Sequence, residues 1–425
     1  MYSKKARCTV LIFSFALLLV TALWGQGDEA ASLAPRADYP FRPDHERLGL
    51  RGESSYTKFQ EQEGIPVYTG FSIDVYQVEL KPWKRQGSGI LGAYIDLDGA
   101  GSLVNAFCLE IPPGGETKPT RHLFEEQLLI LSGAGETHIW QSDPSKKIVV
   151  PWREGTVFAP PLNTWYQHFN KGQESARMVA VTDLPLKIDL FRNVDFIFDT
   201  NFDFTDRYSG QANYFDPENS RDYAPMARSH SLSIVNLVRD AWTWRLFHAG
   251  QGYGDIDRHF VLSDNTMTGH IEQFPVGTYE RAHRHGPSST IVLLSGTGYS
   301  LMWPTSLGLT PWEDGNDDQI KRVDWKKGIM VIPPIQWFHQ HFNNGSEPAR
   351  FIKLGGSPGN ELYPMTTQVL EGGVRLTILF RNEDFYVRDL FEKELAKHGD
   401  KIQMPPREEL IDMERKSGDG PLTVP

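Results

Sequence analysis

Two histidines, His283 and His285, stand two residues apart in GTYERAHRHGPSSTIVLLSG, and a third, His339, follows in GIMVIPPIQWFHQHFN. On a β-strand, residues i and i+2 face the same side, so the first two imidazoles point one way. A third imidazole from a neighbouring strand would complete a site for a divalent transition metal. Three neutral imidazoles leave such an ion its full charge and several open positions, enough for a small organic substrate and dioxygen. Iron(II) suits that ligand set first; manganese, zinc, nickel and copper stay open, and zinc would favour hydrolytic or lyase chemistry through a bound hydroxide. His341 shares a strand face with His339 and is a candidate catalytic base. Tyr299, Trp303 and Trp337 lie on or beside the same strands and are candidates for a substrate-pocket wall. Glu280, three residues before His283, falls on the opposite face of a regular strand, and Arg281 and Arg284 flank the histidines.

Strands must position these groups, and the sequence is rich in strand signals. Short alternating runs such as LVNAFCLEI, QLLILSG and RMVAVTD are separated by turn residues, with Gly 38 and Pro 28 over 425 residues. The chain also repeats itself. The stretch IPPGGETKPTRHLFEEQLLILSGAG from Ile111 matches FPVGTYERAHRHGPSSTIVLLSGTG from Phe274. Further on, GTVFAPPLNTWYQHFN from Gly155 matches GIMVIPPIQWFHQHFN, and LFRNVDF from Leu190 matches LFRNEDF from Leu379. Three matches in one order mean a tandem duplication.

The spacing Gly-x5-His-x-His from Gly277, with Gly296 beyond, and Gly328, Pro334, His339 and Asn343 downstream resemble the two signature motifs of the cupin superfamily. The duplication resembles a bicupin. This implies an all-β fold of two tandem jelly-roll (cupin) barrels with a C-terminal helix. It implies a metal site on His283, His285 and His339. Where the usual motif carries a fourth, glutamate ligand, this sequence has Ser289. The resemblance therefore tilts toward three-histidine cupins such as gentisate, cysteine or acetylacetone dioxygenases, and implies an iron-dependent dioxygenase acting on a small enolisable or aromatic substrate. A metal-dependent lyase, hydrolase or isomerase, or a non-enzymatic binding bicupin, is the alternative.

In the first repeat the four ligand positions carry Thr120, His122, Glu126 and Tyr166, so that barrel is expected to be structural. His168 aligns with His341 although its repeat has lost the site, which favours a structural role for both. The domains read as a signal peptide over 1–26, an arm over 27–70, a first cupin domain over 71–200, a linker over 201–232, a metal-binding second cupin domain over 233–390, and a helix end and tail over 391–425. The helix is expected from the spacing of Phe385, Val387, Leu390, Phe391 and Leu395, with a loosely held polar tail beyond Asp400.

Lys4, Lys5 and Arg7 precede an apolar run over residues 8–24, the layout of an export signal, giving a secreted or periplasmic protein; an uncleaved run would anchor it to a membrane. After cleavage Cys108 is the one remaining cysteine, expected as a buried core thiol. A formal net charge of −11 argues against a nucleic-acid partner. The expected partners are a small-molecule substrate and a second copy of the chain.

Overall fold

The computed structural model describes residues 54–101, 103–216, 220–226, 230–248, 252–284, 290–356 and 377–417. The N-terminal apolar run lies outside them. Among the described residues no helix is long and apolar enough to cross a membrane.

Helix α1 (Ser55–Glu63) leads to strand β1 (Ser72–Asp74). The first half then supplies β2 (Leu91–Ile95), β3 (Asn105–Ile111), β4 (Glu126–Ser132), β5 (Ala134–Trp140), β6 (Ile148–Arg153), β7 (Val157–Phe158), β8 (Trp165–Asn170) and β9 (Ala176–Thr182). Helices α2 (Leu184–Phe191) and α3 (Val194–Asp199) follow, then the short β10 (Leu237–Val238). The second half has β11 (Ile256–Leu262), β12 (Thr268–Phe274), β13 (Thr290–Ser295), β14 (Gly298–Trp303), β15 (Lys321–Trp325), β16 (Ile329–Val331), β17 (Phe338–Phe342) and β18 (Ala349–Gly356). Helices α4 (Phe385–Ala396) and α5 (Arg407–Lys416) end it.

Each half is a jelly roll. The larger sheet of the first half runs β2-β3-β9-β4-β7, and that of the second β11-β12-β18-β13-β16. The smaller sheets run β8-β5-β6 and β17-β14-β15, each joined on its outer side by a short bridged segment, around 116–120 and 279–283. Apart from the hairpins β2–β3, β5–β6, β11–β12 and β14–β15, the chain passes from one sheet to the other, as in a jelly roll. The fold is two tandem jelly rolls, as the duplication implied.

Strand alternation sorts the side chains. On the larger sheets one set, including Ala106, Cys108, Leu129 and Val179 from the first half and Phe260, Ile271, Val292 and Ile352 from the second, forms a single core between the barrels. Cys108 is fully buried there, and burial pushes its thiol up to about 12. The opposite set faces each barrel's interior. The halves also exchange edges: β1 pairs with β16 of the second barrel, and β10 pairs with β7 of the first. An uncovered sheet edge exposes unpaired backbone groups, so each barrel shields the other's.

The interior of the first barrel is apolar, with Phe107, Leu109, Ile111, Leu128, Ile130, Phe158 and Met178 among its members. The apolar cluster inside the second is much smaller, centred on Phe274, Leu293, Trp325 and Phe351. A further core lies outside the second barrel, where Tyr299, Trp303, Phe338 and Phe342 meet Val387, Phe391, Leu395 and Leu410 of α4 and α5. Of the residues expected to form the C-terminal stripe, Val387, Phe391 and Leu395 are buried while Phe385 is exposed. The segment expected as a loose tail instead forms α5, because Leu410 and Glu414, one turn apart, both bury.

Candidate metal centre

The site strand is bulged. Tyr279 opposes Phe342, yet His283 opposes His339, so four steps on one strand match three on the other. Glu280 N donates to His341 O at 3.2 Å, and His283 and His339 exchange backbone bonds of 2.9 and 2.8 Å. An extra residue in a bulge reverses the alternation beyond it. Glu280 and His283 therefore share a face, contrary to the reading for a regular strand. The first repeat carries the same bulge, with Glu116 opposite Phe169 and Thr120 opposite Tyr166.

His283 and His339 come together, their ring centroids 4.3 Å apart. His283 Nδ1 lies 3.2 Å from Arg281 O, and His339 Nδ1 lies 3.2 Å from Trp337 O. A carbonyl can only accept, so each Nδ1 carries the proton and each Nε2 keeps the lone pair a metal needs. Burial lowers the pKa of His283 to about 4, which keeps that lone pair at neutral pH. This donor set fits a divalent transition metal. His285 and Ser289 lie outside the described residues, and among the described residues no group of three His, Cys, Asp or Glu is gathered as a metal cage.

Glu280 is 1% exposed. Its Oε1 is 3.7 Å from His283 Nδ1 and 3.6 Å from His341 Nε2, and has no hydrogen-bond partner among the described residues. Burial, then the nearby Asp255 charge, raises its pKa well above the carboxylate range. His341 Nδ1 sits 2.8 Å from Ser300 Oγ, which accepts from Trp325 Nε1 at 2.9 Å. With one proton and two lone pairs, the serine hydroxyl can pair with Nδ1 while accepting from the indole, and His341 Nε2 lies on the Glu280 side. The first repeat has the same device: His168 Nδ1 is 2.7 Å from Thr137 Oγ1, which accepts from Trp152 Nε1 at 3.0 Å. Its occurrence in both barrels supports a structural role for His341; the neighbouring Glu280 is peculiar to the second.

The second barrel's interior continues as a buried polar chamber wall of side chains. Cross-strand neighbours His259 and His270, and Asp257 and Glu272, face inward, and Lys353 pairs with His270 from the other side. His259 Nε2 is 2.9 Å from Asp257 Oδ2, and the two imidazole rings are 4.6 Å apart. Burial, reinforced by Glu280, Asp255 and Asp257, raises the pKa of Glu272 well above its usual range. In the first barrel the corresponding pairs are Tyr94 with Phe107, Gly92 with Leu109, and Ala180 with Phe107. The fold does not require the polar set. Its signal was in the sequence, since TGHIEQF differs from NAFCLEI at alternate inward positions.

The first barrel closes on itself where the second keeps its imidazoles. His122 Nε2 lies 3.0 Å from Glu126 Oε2 and 2.9 Å from Tyr166 Oη, and Tyr166 donates to Glu126 at 2.7 Å.

The candidate wall residues divide. Tyr299 stacks on Phe342 at 4.6 Å, and Trp303 packs on Phe338 and Trp312, all on the side of β14 that faces the C-terminal helices. The inward residues of that strand are Ser300 and Met302, so Tyr299 and Trp303 are not brought to the imidazoles. Trp337 packs against Phe71 at 6.0 Å and lends its carbonyl to His339. Arg281 and Arg284 point away, to Glu414 and Gln336. Surface cavities of about 480 Å³ beside Trp152 and Phe215, and about 380 Å³ beside Phe191 and Phe202, contain none of the chamber's side chains.

No protein-family model matches the sequence, and no curated protein is similar to it. Among solved structures the chain is similar to Bacillus subtilis oxalate decarboxylase. The form determined at pH 4.6 is 11% identical with a TM-score of 0.43, over 68% of this chain and 76% of that one. A deletion mutant of that enzyme is 11% identical with a TM-score of 0.42, over 68% and 77%.

Proposed function

We propose that this is a bicupin metalloenzyme whose second barrel holds a divalent transition metal on His283, His285 and His339 and acts on a small organic substrate. The observation that carries it is the pair of buried imidazoles turned by backbone carbonyls so that both Nε2 atoms keep their lone pairs. When bound, the metal supplies a Lewis-acidic centre that anchors an oxygen-bearing substrate, and with iron(II) an oxidative one. Glu280, whose pKa burial raises, stands beside that centre, and His341 turns Nε2 toward it. Lys353, His259 and His270 present a polar wall, which favours a compact polar substrate over a large planar hydrocarbon. Export through the N-terminal signal, and pairing of two copies, belong to the same proposal.

The oxidative reading is an iron-dependent dioxygenase. A second reading, a lyase or isomerase, is favoured by the three buried carboxyls whose pKa values are raised, Asp255, Glu272 and Glu280, since proton transfer is the work of such groups. The purified protein is to be assayed for bound metals, with His283→Ala as control, then for dioxygen uptake with catechols, gentisate-like acids and β-diketones. Near-stoichiometric metal that is lost in His283→Ala supports the site. Oxygen-independent turnover selects the second reading, and a wild type without affinity for any first-row metal refutes both.

A further inference from the structure

We infer that Glu414, on the C-terminal helix, is a positioning residue for the imidazole site; the inference rests on the metal reading above. Most acidic residues of α5 are solvated: Glu408 and Glu409 are exposed. Glu414 is 0% exposed, one turn beyond the buried Leu410. Its Oε1 accepts from Phe380 N at 2.9 Å and from Arg281 Nη1 at 3.3 Å, and Arg281 is itself 3% exposed. Arg281 stands in the bulge between Glu280 and His283, and its carbonyl is the group 3.2 Å from His283 Nδ1. One carboxylate therefore ties the chain's last helix to the residue that orients a ligand imidazole.

The surrounding contacts follow the same plan. The bulged strand has an open outer edge, and C-terminal residues cover it. Ile378 N donates to Ala282 O at 2.7 Å, Gln403 N donates to Gly277 O at 2.8 Å, and Tyr279 N approaches Met404 Sδ at 3.3 Å. The first repeat makes the same bulge without a counterpart of this ion pair. There Lys118 occupies the place of Arg281, is exposed, and its Nζ donates to Lys84 O at 3.0 Å. The bulge itself thus does not need the pair. Desolvating two charges is costly, and matched apolar residues commonly stabilise as well. What the pair adds is a fixed position for the Arg281 backbone, of the kind outer-shell groups give a ligating histidine, where their loss typically weakens metal binding by about 10–100-fold.

The test uses the full chain stripped of metal and titrated with cobalt(II), following its visible absorption together with thermal unfolding. The variants are Glu414→Gln, the apolar pair Arg281→Met with Glu414→Leu, and Glu409→Gln as an exposed control on the same helix. Glu414→Gln is expected to weaken cobalt binding about tenfold or more and to shift its absorption bands, with Glu409→Gln unchanged. The apolar pair is expected to melt near wild type while still binding weakly with shifted bands. Wild-type affinity and spectrum in that pair would overturn the inference, because the ion pair would then only hold the helix. Should Glu414→Gln not fold, the apolar pair decides by the same reading. A wild type that binds no cobalt, manganese, iron or zinc overturns the metal reading itself, and this inference with it.

Discussion

The duplicated hydroxyl between a histidine and a tryptophan gives the sharpest test of what His341 does. Ser300→Ala removes an oxygen that takes the Trp325 indole proton at 2.9 Å and meets His341 Nδ1 at 2.8 Å. Ser300 is 0% exposed, so water cannot replace it. A buried polar group left without a partner costs about 1–3 kcal/mol, and two are orphaned, so the loss is about 2–6 kcal/mol. Thr137→Val deletes the equivalent hydroxyl at nearly constant volume, orphaning Trp152 and His168, and should cost the same. The two histidines differ in what lies beyond them. His168 faces the rings of Tyr166 and Phe158, whereas His341 Nε2 faces Glu280. Without Ser300 the His341 ring loses the hydroxyl that holds its Nδ1. Both variants should lower the midpoint of denaturant unfolding similarly, and only Ser300→Ala should displace the pH profile of metal binding or turnover. A Ser300→Ala penalty under about 0.5 kcal/mol, the level of an ordinary surface change, would refute the hydrogen-bond reading. An equal displacement of the profile by Thr137→Val would refute the division of labour between the barrels.

Glu383 should make the second barrel less stable as pH rises. Burial lifts its pKa from the ordinary 4.5 to about 7, although Gln340 and Tyr279 hydrogen-bond to it. The folded state then holds a proton that the unfolded chain has released, so its contribution is intact below about pH 4.5 and fades as pH climbs toward 7. At 1.36 kcal/mol per unit the loss is about 3 kcal/mol, and Glu383→Gln should flatten that slope in unfolding measured between pH 4.5 and 7.5. His122→Ala should lower thermal stability, because it breaks the buried set with Glu126 and Tyr166, yet leave bound metal unchanged by elemental analysis. Ile352→Ala, in the core between the barrels, should cost about 2–5 kcal/mol in denaturant unfolding.

Much of the architecture is legible in the sequence. The repeat gave two barrels because each half carries the same alternating strands and turn glycines, and alternation alone decides which side chains reach a core. Gly296, at φ +79°, shows why the turns read clearly: a Cβ there would sit 2.5 Å from Ala349 Cα. The pairing of His283 with His339 was also legible, as both lie at fixed places in a repeated motif. The position of Glu280 was not, because a one-residue bulge reverses strand parity and depends on how two distant segments pair. Tyr299 and Trp303 could be placed on a strand but not on a face, since both faces of β14 are buried, one by the barrel and one by α4 and α5. The tie from Glu414 to Arg281 joins positions 133 apart, and no local pattern encodes it. Local chemistry, read from the sequence, determined the strands, the duplication and the imidazoles. Tertiary packing decided which face each group shows and which charges meet, because those depend on register and burial between segments far apart in the chain.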